Sequence, residues 1–132
     1  MKMQLTRPSM SALCLGLLLA LTSGCSQSGF GPQADPNEAQ NTMKLVLDAW
    51  KSGQNPSQFA AKSPDIVIQD SDWTLGLKLV SYKTQNDVRL AGNDVHYPVT
   101  LELKSPKGRV VKKQAVYLIS TSPKKLVLRQ DG

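Results

Sequence analysis

Hydrophobic positions fall in three regimes along the chain. Residues 11–21 (SALCLGLLLAL) are almost continuously apolar. A polar stretch broken by Gly29, Gly31 and Pro32 follows. From Asp35 the apolar residues become periodic. Met43, Val46, Leu47 and Trp50 recur at helical spacing, with Leu45 and Ala49 widening the stripe. Asp35 suits a cap, Pro36 the first helical position, Glu38 the position three residues after the cap, and Gly53 a stop. The pattern predicts a helix over 36–52. Asn55-Pro56 starts a shorter helical turn carrying Phe59 and Ala60, ended by Ser63-Pro64.

Beyond residue 65 the period shortens to two. Residues 65–69 (DIVIQ) read as a short strand. Over 77–84, Leu77 and Leu79 share one face and Val80 and Tyr82 the other. Over 94–104, Val95, Tyr97, Val99, Leu101 and Leu103 alternate with His96, Thr100, Glu102 and Lys104. Turns at 105–108 and 122–124 bracket a long strand over 109–121. Its centre (AVYLI, 115–119) is apolar on both faces and so predicts a central strand covered on both sides at that end. Residues 125–129 form the last strand. Together these elements predict an α+β domain over 35–132, an N-terminal helix packed on a curved antiparallel sheet of four to five strands.

The N-terminal regime reads differently. Lys2 and Arg7 precede the apolar run, no acid interrupts it, and Thr22-Ser23-Gly24 are small. This is the layout of a secretory signal over residues 1–24. The run is shorter than the roughly 20 residues that span a bilayer. LTSGC (21–25) resembles a bacterial lipobox, with Thr22 where leucine is most usual. The resemblance implies a prolipoprotein: cleavage between Gly24 and Cys25, diacylglycerol (palmitate-type acyl chains) on the Cys25 thiol, and membrane lipid as a partner. An ordinary cleaved signal leaving an unpaired Cys25 is the alternative. By similarity to enterobacterial lipoproteins, Ser26 in place of an aspartate implies the outer membrane, facing the periplasm. Removing Cys14 with the signal leaves Cys25 alone, which excludes an intramolecular disulfide. Residues 25–34 would then be the lipidated cysteine and a tether with a root-mean-square reach of about 15–18 Å.

The order helix, short helix, meandering sheet resembles the cystatin-like and NTF2-like folds. The runs DSDWTLGLKLVSY (70–82) and PVTLEL (98–103), with Gly108, Lys112-Lys113 and Tyr117-Leu118, are similar to small uncharacterised lipoproteins of planctomycete type. That resemblance carries no activity with it, and fold alone implies none.

Formal charge is +6, from 16 basic and 10 acidic residues. Eight of the basic residues lie beyond residue 100, opposed there by Glu102 and Asp131. An export signal argues against nucleic acid as the partner of this charge. Lys107, Arg109, Lys112, Lys113, Lys124, Lys125 and Arg129 make the final hairpins basic, and Lys112, Lys113, Lys124 and Lys125 are candidates for one surface facing anionic lipid or glycan. Lysines that blunt sheet edges are the plainer reading. Asp72, Trp73, Tyr82, His96 and Tyr117 are candidates to line a ligand groove. Asp70 and Asp72 equally suit a strand-end turn that bonds local amides, with Trp73 plugging the core beneath. His96, the sole histidine, has Asp94 two residues away. No nucleophile–base pair, metal-ligand spacing or phosphate loop is present, so no catalytic residue, metal or cofactor is assigned. The leading expectation is an exported, lipid-anchored binding or scaffold domain with an unidentified protein, glycan or small ligand. A small NTF2-like enzyme using Asp70, Asp72 or His96 in an open cone, and an adaptor working through the basic hairpins, are the alternatives.

Overall fold

The computed structural model describes residues 32–130. Gly24, Cys25, the signal and most of the tether lie outside them. Helix α1 spans Pro36–Lys51. Asp35 Oδ1 accepts from the Asn37 and Glu38 amides at 2.8 and 3.3 Å, satisfying donors that the first helical turn leaves open. Helix α2 spans Pro56–Lys62 and carries a reciprocal capping box between Asn55 and Gln58. The chain then runs β1 (Ile66–Gln69), a single turn α3 (Ser71–Thr74), β2 (Lys78–Thr84), β3 (Arg89–Ala91), β4 (Asp94–Lys104), β5 (Val110–Ser120) and β6 (Lys125–Gln130).

The strands form one sheet in the order β1-β6-β5-β4-β2, with the short β3 sharing the edge of β4 with β2. The architecture is the expected α+β class: a helix laid on a curled, half-barrel sheet that fits the NTF2-like and cystatin-like folds. The sheet is mixed, because β1 pairs parallel to β6 while the other pairs are antiparallel. The chain reaches this pairing through α2 and β1, which precede the meander and can close only on its last strand.

The inner face of the sheet is Val95, Tyr97, Val99, Leu101 and Leu103 of β4, Ala115, Tyr117 and Ile119 of β5 and Val127 of β6, all buried. Cross-strand register puts Tyr97 against Tyr117 and Val99 against Ala115. Ala39, Thr42, Met43, Val46, Leu47 and Trp50 of α1 close over them. Each large apolar side chain buried here contributes about 1.5–3 kcal/mol. Leu45 does not widen the stripe; it points to solvent. Every member of the core cluster lies between Ala34 and Val127, so a chain beginning at residue 25 carries the complete core.

Two details differ from the periodic reading. A bulge between Leu79 and Ser81 shifts the β2 register, so Leu79 pairs with Leu103 and Tyr82 with Leu101. The extra residue brings Tyr82 onto the same face as Leu79 instead of the opposite one. The AVYLI segment is central, as expected, but only its inner side is covered: Val116 and Leu118 are half-buried on the outer face, where no helix packs. The hairpin β3–β4 turns on Gly92-Asn93, with Gly92 at φ +63°, a conformation glycine adopts without penalty.

Candidate functional site

Sheet geometry sorts the ionisable residues. The chain leaves β1 at Gln69, and Asp70 caps α3 by accepting the Trp73 amide at 3.0 Å. This single turn lies across the inner face of β5 and β6. There Arg129 Nη1 meets Asp70 Oδ1 at 3.1 Å and Asp72 Oδ2 at 2.6 Å. Tyr117 Oη donates to the other Asp70 oxygen, and Lys113 Nζ meets Asp72 Oδ2 at 3.0 Å. The Arg129 side chain is 2 % exposed. Two carboxylates and one guanidinium thus share a buried patch, which the half-exposed Lys113 ammonium closes at its edge.

Burial alone would raise the Asp72 pKa, but hydrogen bonds and charge from Lys113 and Arg129 outweigh it and hold the carboxyl below its ordinary value. Burial, the Asp70 charge and its hydrogen bond push the Tyr117 phenol far up. Burial works against the Arg129 cation, yet the neighbouring carboxylates and phenol raise its pKa above the usual arginine value. Asp72 is therefore held ionised, and Tyr117 and Arg129 are held protonated. Such an arrangement pins α3 to the sheet, and the shifts of Asp72, Tyr117 and Arg129 all lead away from proton exchange near neutral pH.

Trp73 roofs this network. It stacks on Trp50 with ring centroids 5.6 Å apart, and its indole N–H donates to the Gln54 carbonyl at 2.8 Å. The Trp50 indole N–H donates to the Leu77 carbonyl, also at 2.8 Å. A hollow of about 140 Å³ opens beside the pair, between the α1–α2 turn and the start of β2. Gln54 Oε1, buried at its wall, has no hydrogen-bond partner.

The remaining candidates are dispersed. Asp72, Trp73 and Tyr117 come together, but as core and ion-pair residues. Tyr82 stands at the other flank of α1, its hydroxyl donating to Asp48 at 2.6 Å; burial, then that carboxylate, pushes its pKa to about 12. His96 lies on the outer face, between Arg89 and Leu118, with Nδ1 buried and unpartnered. Asp72, Tyr82 and His96 therefore share no pocket. Among the described residues, no group of three or more His, Cys, Asp or Glu side chains is placed to hold a metal ion.

The basic residues also separate. Lys112 and Lys113 begin β5, whereas Lys124 and Lys125 follow its end, so nearly 30 Å of strand stands between the pairs. They form no common surface. Lys113 turns inward to Asp72, and Lys125 bridges Glu38 and Asp65 at 3.4 and 3.7 Å. Arg129, counted with the basic hairpins by sequence, is sealed in the core. Strand β6 pairs with β5 only over Val116–Ser120, so among the described residues Lys112 and Lys113 stand on a stretch of β5 bonded to β4 alone, where lysines blunt an open edge. Sequence reading missed the Asp70–Arg129 pair, whose partners stand 59 positions apart. The available signal was a lone arginine alternating with apolar residues in the last strand.

No protein-family model, curated protein or solved structure matches the chain. Among the described residues, no helix is long and apolar enough to cross a membrane.

Proposed function

We propose that this is an exported protein anchored in the cell envelope by acylated Cys25, whose folded domain is a non-enzymatic binding or scaffold module at the membrane surface. The anchor reading rests on LTSGC, on the basic and apolar residues before it, and on the short polar tether after it. Two or more acyl chains on one cysteine hold a protein far more firmly than one, since each buried methylene adds about 0.8 kcal/mol. Outer-membrane placement follows from Ser26 by resemblance alone.

The non-enzymatic reading is carried by one observation. Among the described residues, the ionisable cluster in the fold's interior is already neutralised by its own members, with Arg129 sealed between Asp70 and Asp72. Chemistry available to a partner lies on the surface.

Cell fractionation with Cys25→Ser tests the anchor. The variant is expected in the soluble fraction or retained with its signal uncleaved, while the parent sediments with membranes. A parent protein whose mature mass shows an unmodified Cys25 overturns this reading.

A further inference from the structure

The chain enters the domain at one end of the sheet. The Ala34 amide donates to the Asn93 carbonyl and the Asp35 amide to Thr121 Oγ1, beside the β3–β4 and β5–β6 turns. The opposite end is built by the β4–β5 turn and the start of β2, where Lys78, Lys104 and Val110 lie in one cross-strand row. Strand β4, of 11 residues, sets these ends about 37 Å apart.

The far end carries Lys78, Lys104, Lys107, Arg109 and Lys112, all exposed and, among the described residues, none in an ion pair. Among the described residues, Glu102 is the one acid in the neighbouring rows; it faces Lys112 across the strands and accepts from Ser81 Oγ at 3.0 Å. The same end exposes three apolar side chains. Leu75 is 72 % exposed in the turn after α3, Val110 48 % on the outer face and Val111 44 % on the inner face. One such residue is ordinary on a protein surface. Three at the same end of the sheet as five exposed cations are a specific combination. The charges match an anionic surface, and the apolar tips match the acyl boundary just below lipid headgroups. A hydrated acidic glycan would satisfy the first and leave the second in water.

We infer that this far end of the sheet is a contact site for an anionic phospholipid bilayer. The inference names the partner for the surface-binding module proposed above and rests on that reading only for cellular placement. The nine residues 26–34 extend to about 30 Å, so an anchored domain lying on its side can set this end on its own membrane.

The test uses residues 25–132 with Cys25→Ser, which carry the complete core and no acyl chain. Binding to phosphatidylcholine vesicles with and without phosphatidylglycerol is measured by co-sedimentation. We expect binding to the anionic vesicles alone, falling steeply with added salt. Replacing Lys104, Lys107 and Arg109 by Gln should weaken it on the order of 100-fold, since each cation near such a surface accounts for roughly fivefold. Leu75→Ser should weaken it roughly tenfold. Lys124→Gln, at the opposite end, should leave it unchanged. All these side chains are exposed, and an unchanged thermal midpoint verifies folding. Absence of binding at low salt overturns the inference, as does equal loss from Lys124→Gln. Binding indifferent to Leu75→Ser and displaced by soluble polygalacturonate identifies an acidic glycan and also overturns it. Neither failure touches the anchor, which fractionation of Cys25→Ser reads separately.

Discussion

Lys112 and Lys113 are neighbours in the chain and belong to different regions of the molecule. Lys113 faces inward and closes the ion network under α3; Lys112 faces outward among the cations of the sheet's far end. The alternation of a β-strand makes the division. Inside, two acids and two bases sit at fixed distances and balance. Outside, among the described residues, five cations stand beside one acid and in no ion pair. Residues of the same type thus specify packing in one region and supply a field to solvent in the other. A buried charge set must close upon itself because desolvation penalises any remainder. An exposed set can keep a remainder, and only a remainder attracts a partner.

Substitutions can break this contrast. The largest effect is expected for Arg129→Met, which strands Asp70 and Asp72 beneath α3. Loss of about 3–5 kcal/mol should appear in a urea unfolding curve. A loss under 1 kcal/mol would mean that the network does not hold the fold.

Next is Asp72→Asn, expected to lower stability at neutral pH by about 1.5–3 kcal/mol, the range for hydrogen bonds to charged groups. Its pH dependence is the sharper readout. The folded Asp72 pKa lies below the unfolded value of 3.8. Its contribution is therefore fully present well above 3.8 and is lost as pH falls through the folded value. The gap between parent and variant should narrow across that acidic window. A constant gap would show that Asp72 acts through shape, not charge.

The smallest effects separate the two lysines. Lys113 is 48 % exposed, so Lys113→Gln should cost about 1 kcal/mol or less, and Lys112→Gln should stay within about 0.5 kcal/mol. In vesicle binding the order should reverse, with Lys112→Gln the more damaging. Equal effects in both assays would erase the distinction between the regions.

Most of the scaffold was legible in local pattern. The α1 stripe, the alternation of β4 and the Pro and Gly turns depend on residues a few positions apart, and they fall where periodicity puts them. What was illegible depends on sequence-distant partners or on single-residue shifts. The bulge at Val80 turns Tyr82 to the helix side, and no composition signal marks it. Strand β3 is three residues long, too short for a period to register. The reading of Asp70 as a turn residue and Trp73 as a core plug held, since capping is local. The bond from Asp70 to Arg129 was hidden, since only the closed sheet brings β6 under α3. The basic hairpins looked like one patch because sequence reports order and not which end of a strand a residue occupies.

The parallel pairing of β1 with β6 has a consequence for how the domain comes into being. A chain emerging from its N-terminus forms α1, α2 and β1 early, but β1 must wait for the last strand, which also supplies Arg129 to neutralise Asp70 and Asp72. Contacts this distant in sequence form late, after the entropy of a long loop has been overcome. Until Arg129 is out, Asp70 lacks its cation and the sheet lacks the strand that joins β1 to β5. Under the export proposed above, a fold that closes only on β6 keeps the translocating chain open until that strand has passed.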